Sequence, residues 1–228
     1  MSKRARRELA SALNTLLASP SFTSWRQGIT LDLADWMAPS LRTKATIVSV
    51  AHVDDDERAL VLGVLLEEVL SWVRSLRGTQ RLRALIVFDE VYGFLPPHPA
   101  NPPTKRPLVA LMKQARAYGV GVVVATQNPM DLDYRALSNA GFWCLGRLQT
   151  DADRERVVEG MANEAEGETG GEISDILKKL KARWFVVRNV HRPGAALLQP
   201  RWAMSFMRGP MTRQEIRMAR EGRNAPAR

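Results

Sequence analysis

Residues 84–90 read A-L-I-V-F-D-E. Leu85, Ile86, Val87 and Phe88 form a continuous apolar run, and Asp89 and Glu90 follow at once. A short unbroken apolar run predicts a strand buried on both faces, as in the middle of a parallel sheet. Ionised acids do not belong inside such a strand, so the pair is placed at its carboxyl end. That is the edge where open α/β sheets bind ligands. An acid there can help hold Mg²⁺ beside phosphates, and a second acid can orient or activate the attacking water. The plainer alternative is a strand ending in two solvated carboxylates.

Working outward, residues 45–50, with Ile47, Val48 and Val50, predict an earlier strand, and residues 58–76 a long helix that is apolar almost all round and hence buried. Strand, helix and strand make a βαβ unit. Asp54, Asp55 and Asp56 precede the helix; they read as an N-cap and first-turn acids, with a metal-hydrolase role shared with His52 as a weaker alternative. After Glu90, six prolines between Pro96 and Pro107 exclude regular structure, and Lys105 and Arg106 make this loop basic. Pro107 suits a helix start, with Leu108, Leu111, Met112 and Ala115 on its apolar face and Arg116 at the margin of that face. Residues 120–126, V-G-V-V-V-A-T, predict a second buried strand ending at Gln127. A third, 142–145, ends at Gly146 and Arg147.

Parallel strands share their carboxyl edge. The three strands therefore bring Asp89, Glu90, Thr126, Gln127 and Arg147 to one rim, a set suited to Mg²⁺–phosphate chemistry. Arg116 is a second guanidinium able to neutralise transition-state charge. A phosphate-cradling G-x-x-x-x-G-K-[ST] loop is absent, since no lysine in the chain follows a glycine.

The ends of the chain are simpler. Residues 4–18 predict an amphipathic helix carrying Leu9, Leu13, Leu16 and Leu17, closed by Pro20; Trp25, Leu31, Leu33 and Trp36 are packing anchors after it. Short helices are predicted at 135–139, 152–161 and 173–180, with a flexible connection over 163–172. A hairpin at 182–190 and 195–198 and a basic helix at 211–221 follow. The 228 residues are 45% hydrophobic, enough for a core, and the single Cys144 forbids an internal disulfide and suits a reducing cytoplasm. No run is long enough for a membrane span. The net charge of +9 favours polyanionic partners such as nucleic acid.

The stretches I-V-F-D-E-V-Y-G-F-L-P-P, K-Q-A-R-A-Y-G-V-G-V-V-V-A-T-Q-N-P-M-D-L-D-Y, L-G-R-L-Q-T-D-A-D-R and W-A-M-S-F-M-R-G-P-M-T together resemble the HerA-like branch of the HerA/FtsK superfamily of P-loop ATPases. The resemblance implies a RecA-like α/β core with a mainly parallel sheet flanked by helices, incomplete here and extended by the C-terminal hairpin and helix. It divides the chain into an N-terminal segment, 1–44, an ATPase core, 45–162, and a C-terminal extension, 163–228. It also implies ATP and Mg²⁺ as cofactors, a hexameric ring, and movement along double-stranded DNA. By motif, Asp89 and Glu90 become the Walker B pair, Gln127 the γ-phosphate sensor, and Arg116 the arginine reaching a neighbouring subunit's site, with Arg147 the weaker candidate. The family's phosphate loop lies upstream of Walker B and has no counterpart in these residues. The chain then reads as the C-terminal part of a translocase, with little ATPase activity alone. The rival reading is a non-enzymatic subunit for DNA binding or ring assembly.

Overall fold

The computed structural model describes residues 1–20, 22, 30–38, 40, 42–50, 53–162, 170–204, 209 and 211–224. Trp25, His52 and residues 163–169 of the predicted 163–172 connection lie outside them, while residues 170–172 open a helix instead of continuing that connection.

Two sheets share one hydrophobic core. The first pairs β1 (Ala84–Phe88) with β2 (Val120–Val124) in parallel, in the register Ala84–Val120 through Phe88–Val124. The second is antiparallel, with β4 (Phe185–Asn189) between β3 (Phe142–Leu145) and β5 (Ala195–Leu198). The predicted hairpin thus completes a sheet begun by β3.

The helices are α1 (Lys3–Ala18), α2 (Leu33–Trp36), α3 (Asp55–Ser75), α4 (Lys105–Gln114), α5 (Tyr134–Leu137), α6 (Asp151–Ala162), α7 (Gly170–Lys179) and α8 (Arg213–Asn224). Asp54 caps α3 by accepting a 2.9 Å bond from the Glu57 amide, and Asp55 pairs with Arg58, so the aspartate run does the work of a helix start. Leu66, Val69, Leu70 and Val73 of α3 and Leu108 and Leu111 of α4 pack in the same cluster as Ile86, Phe88, Val122 and Val124 of the parallel pair. Leu33, Leu31 and Trp36 join that cluster, as their anchor role required.

Four expectations are corrected. Residues 45–50 form no strand and Ile47 is 88% exposed; an extended segment becomes a strand only by pairing, and no described strand lies beside it. The βαβ unit through α3 therefore lacks its first strand. Next, β1 is covered on one face only. Ala84, Ile86 and Phe88 pack inward, while Leu85 and Val87 are 54% and 62% exposed and Val123 beside them is exposed too. In-register residues of a parallel pair point to the same side, so this is a continuous bare apolar face. Likewise α3 is one-sided, with Val64, Glu67, Glu68 and Ser71 exposed. Finally, β3 is not a third parallel strand; it belongs to the antiparallel sheet.

Candidate functional site

The chain leaves β1 and β2 in the same direction, so residues 89–90 and 125–127 emerge side by side. The ladder runs one step past the strands: the Ala125 amide donates to the Phe88 carbonyl at 3.0 Å, and the Val91 amide donates to the Ala125 carbonyl at 2.9 Å. Glu90 sits between these two bonds with φ +57°. A non-glycine residue rarely adopts the left-handed region, and such strain gathers at functional sites. Here it turns the Glu90 side chain across to the neighbouring strand end, where Gln127 Nε2 donates to Glu90 Oε2 at 2.7 Å. Thr126 Oγ1 accepts from the Asn128 amide at 3.2 Å, forming the turn that presents Gln127. Asn128 in turn accepts from the Met130 amide and caps a single 3₁₀ turn, Pro129–Asp131.

Asp89, Glu90 and Gln127 are exposed, and Asp89 makes no ion pair or hydrogen bond among the described residues. One carboxylate without an internal partner, beside an acid–amide pair, fits the way Mg²⁺ is usually held: by one or two protein carboxylates, with phosphate and water supplying the rest. No group of three or more His, Cys, Asp or Glu side chains able to hold a metal by itself occurs among the described residues.

The two arginines lie elsewhere. Arg116 occupies a 3₁₀ turn, Ala115–Tyr118, directly before β2, so it stands at the amino edge of the sheet, while Gln127 stands past the carboxyl edge. The five-residue strand between them spans about 17 Å at 3.3 Å per residue. Gly119, with φ +73°, makes the bend from this turn into β2; a Cβ there would strike the Arg81 carbonyl oxygen and Thr79. Arg116 and Lys113 line an open cavity of about 850 Å³ with Gly78, Thr79, Gln80 and Ala117. Arg147 follows β3 in the antiparallel sheet and is exposed. The shared rim predicted for three strands is thus a rim of two: the acids, Thr126 and Gln127 come together, and Arg147 is not delivered to it by a parallel neighbour.

One feature of the rim was not anticipated. Lys105, read as part of a basic loop, opens α4 and is buried, with its Nζ 2.8 Å from Asp133 Oδ2 and donating to the Ala100 carbonyl at 2.9 Å. Asp133 also caps α5, accepting bonds from the Arg135 amide and guanidinium, and its own amide donates to the Leu95 carbonyl at 2.9 Å. Hydrogen bonding from Arg135, assisted by Lys105 and opposed by burial, holds the Asp133 carboxyl well below the usual carboxylate range. The sequence signal was available: a lysine in a helix first turn opposes the helix dipole and asks for an acidic partner.

No protein-family model matches the chain. The DNA double-strand break repair helicase HerA of Saccharolobus solfataricus is 25% identical over 142 residues, which are 60% of this chain and 28% of that protein. The chain therefore spans less than a third of the length of this curated relative. Among solved structures, the DNA-packaging ATPase B204 of Sulfolobus turreted icosahedral virus superposes with a TM-score of 0.51 at 14% identity, covering 81% of this chain and 78% of that one. The likeness to B204 is one of fold, and the fold is that of the α/β P-loop NTPases. The chain resembles the HerA-like branch of the HerA/FtsK superfamily in its motifs and in its similarity to HerA.

Proposed function

We propose that the chain supplies the acid-and-sensor half of a HerA-like ATPase that moves double-stranded DNA, with the phosphate cradle contributed by polypeptide outside these residues. The reading rests on the 2.7 Å bond between Gln127 Nε2 and Glu90 Oε2, made across neighbouring parallel strands beside Asp89, which has no partner among the described residues. In this reading Asp89 would hold Mg²⁺, which when bound neutralises charge on the transferring phosphoryl group. Glu90 accepts a proton from the attacking water or orients it. Gln127 is placed to bond either Glu90 or a γ-phosphate oxygen, and so to report on which is present. Thr126 shapes the turn that presents Gln127 and lies within the nucleotide-facing edge. The strand length that separates Arg116 from its own rim supports action on a neighbouring subunit's nucleotide, in a ring of like subunits. Arg147 is kept only as a nucleotide contact of lower rank.

The test is Mg²⁺-dependent ATP turnover by the isolated chain and by the chain joined to an upstream segment bearing a G-K-[ST] loop. Little turnover is expected from the first. Turnover is expected from the second, lost in Glu90→Gln, and lost in Arg116→Ala with ATP binding largely spared. Strong turnover by the isolated chain, or normal turnover in Glu90→Gln, would overturn the assignment.

The absence of any Gly-Lys pair also supports a second reading, a non-enzymatic subunit for DNA binding or ring assembly. Salt-sensitive binding of duplex DNA without nucleotide, together with no turnover after the upstream segment is supplied, would favour it.

A further inference from the structure

We propose that Asp133 and Lys105 are positioning residues for the Glu90–Gln127 pair. Its functional meaning rests on the reading above, but the geometry stands apart from it. Two loops leave the parallel pair at the candidate site: residues 89–104 after β1 and residues 125–133 after β2. Their near ends are joined by the two backbone bonds that flank Glu90. Their far ends are joined through Asp133, beside the packing of Leu95 and Leu132 in the core. Its amide holds the Leu95 carbonyl, its Oδ2 holds Lys105 Nζ, and Lys105 Nζ holds the Ala100 carbonyl. The Asp133 amide thus ties the second loop to the middle of the first, and its carboxylate holds Lys105 where the first loop enters α4, with Lys105 in turn holding Ala100.

The side chains of Lys105 and Asp133 are 3% and 5% exposed. A buried ion pair is a poor choice for stability, since well-packed apolar residues of the same volume often do as well or better. What an ion pair with every oxygen filled does supply is one geometry. Glu90 and Gln127 need it, because both are exposed and a single side-chain bond between them competes with water. Either loop moving by about an ångström would take that bond beyond hydrogen-bond range. The lock is buried and makes no ion pair or hydrogen bond with either candidate residue among the described residues, so it acts through the loops.

The experiment is ¹H–¹⁵N NMR of the Gln127 side-chain amide in the full chain, with Glu90→Gln marking the signal when the carboxylate is lost. Lys105→Met and Asp133→Asn are expected to move the Gln127 signal toward that reference and to speed its solvent exchange about fivefold or more. Val186→Ala, a core change in the other sheet, is expected to leave it in place. A wild-type Gln127 signal in both lock variants would overturn the proposal. So would an equal change in Val186→Ala, which would mark the effect as general loosening. If Lys105→Met does not fold, Asp133→Asn, which keeps the size and the Oδ1 cap, decides; failure of both to fold would make the pair a folding requirement and overturn the positioning role. No nucleotide enters the measurement, so a chain that never hydrolyses ATP would sink the function while leaving this result readable.

Discussion

Replacing Glu90 by glycine should stabilise the protein relative to replacing it by alanine, the reverse of what this pair of residues does almost everywhere else. Glu90 holds φ +57°. For a residue with a Cβ, the left-handed conformation costs roughly 1–2 kcal/mol. Alanine keeps that cost and loses the bond from Gln127. Glycine loses the same bond but removes the cost, at the expense of about 0.5–1 kcal/mol of extra chain entropy in the unfolded state. The difference leaves Glu90→Gly ahead of Glu90→Ala by roughly 0.5–1 kcal/mol, or about 1–4 °C in Tm for a domain of this size. At an exposed position in ordinary helix, such as Ser71 in α3, glycine should instead be worse than alanine by about 1 kcal/mol. Urea unfolding of the four variants, compared at constant m-value, reads both differences. Under the proposed function, both Glu90 variants should also lose turnover once an upstream segment bearing a G-K-[ST] loop is supplied. Stability gained where activity is lost would show that the backbone at Glu90 is held out of its preferred region for the sake of the side chain's position. If alanine at position 90 matches or exceeds glycine, Glu90 is not in the left-handed region and the argument from strain fails.

Two further outcomes test the packing and the electrostatics. Ile86→Ala, on the covered face of β1, should cost about 2–3 kcal/mol, whereas Val87→Ala on the bare face should stay within about 0.5 kcal/mol by urea unfolding; equal losses would mean that both faces are covered in solution. Asp133→Asn should cost about 3–5 kcal/mol at pH 7, because it leaves the Lys105 charge buried without its counter-ion. The Asp133 carboxyl is held below its unfolded value, so its contribution is complete above about pH 4 and fades as the pH falls further. The gap between wild type and Asp133→Asn should therefore narrow between about pH 4 and pH 2, and a constant gap would refute this account.

Much of the candidate site was legible because its signals are local. An apolar run followed by two acids marks a strand end, since a charge cannot continue into the core, and V-G-V-V-V-A-T-Q marks a second one in the same way. The intervening helix makes the two strands parallel neighbours, and neighbours that are parallel share an edge. Asp89, Glu90, Thr126 and Gln127 followed from those facts, and Arg116 fell before β2 for the same reason that Gln127 falls after it. What was not legible is what depends on a second element. Residues 45–50 have strand-like composition but no described partner to pair with. The apolar run of β1 states that both faces tolerate burial, not that both are covered. The pattern of 142–145 suits a parallel or an antiparallel strand equally, and its pairing with β4, some forty residues on, placed it in the antiparallel sheet, so Arg147 does not follow a parallel neighbour of β1 and β2.

Local chemistry, then, determined the two strand ends, the groups they carry and the helix between them, because steric preference, hydrophobic runs and charge solvation act over a few residues. Tertiary structure decided the rest: which strand joins which sheet, which face stays bare, the left-handed turn that swings Glu90 onto Gln127, and the burial of Lys105 against Asp133. Each of these is an interaction between segments far apart in the chain, and its energy exists only once both are in place.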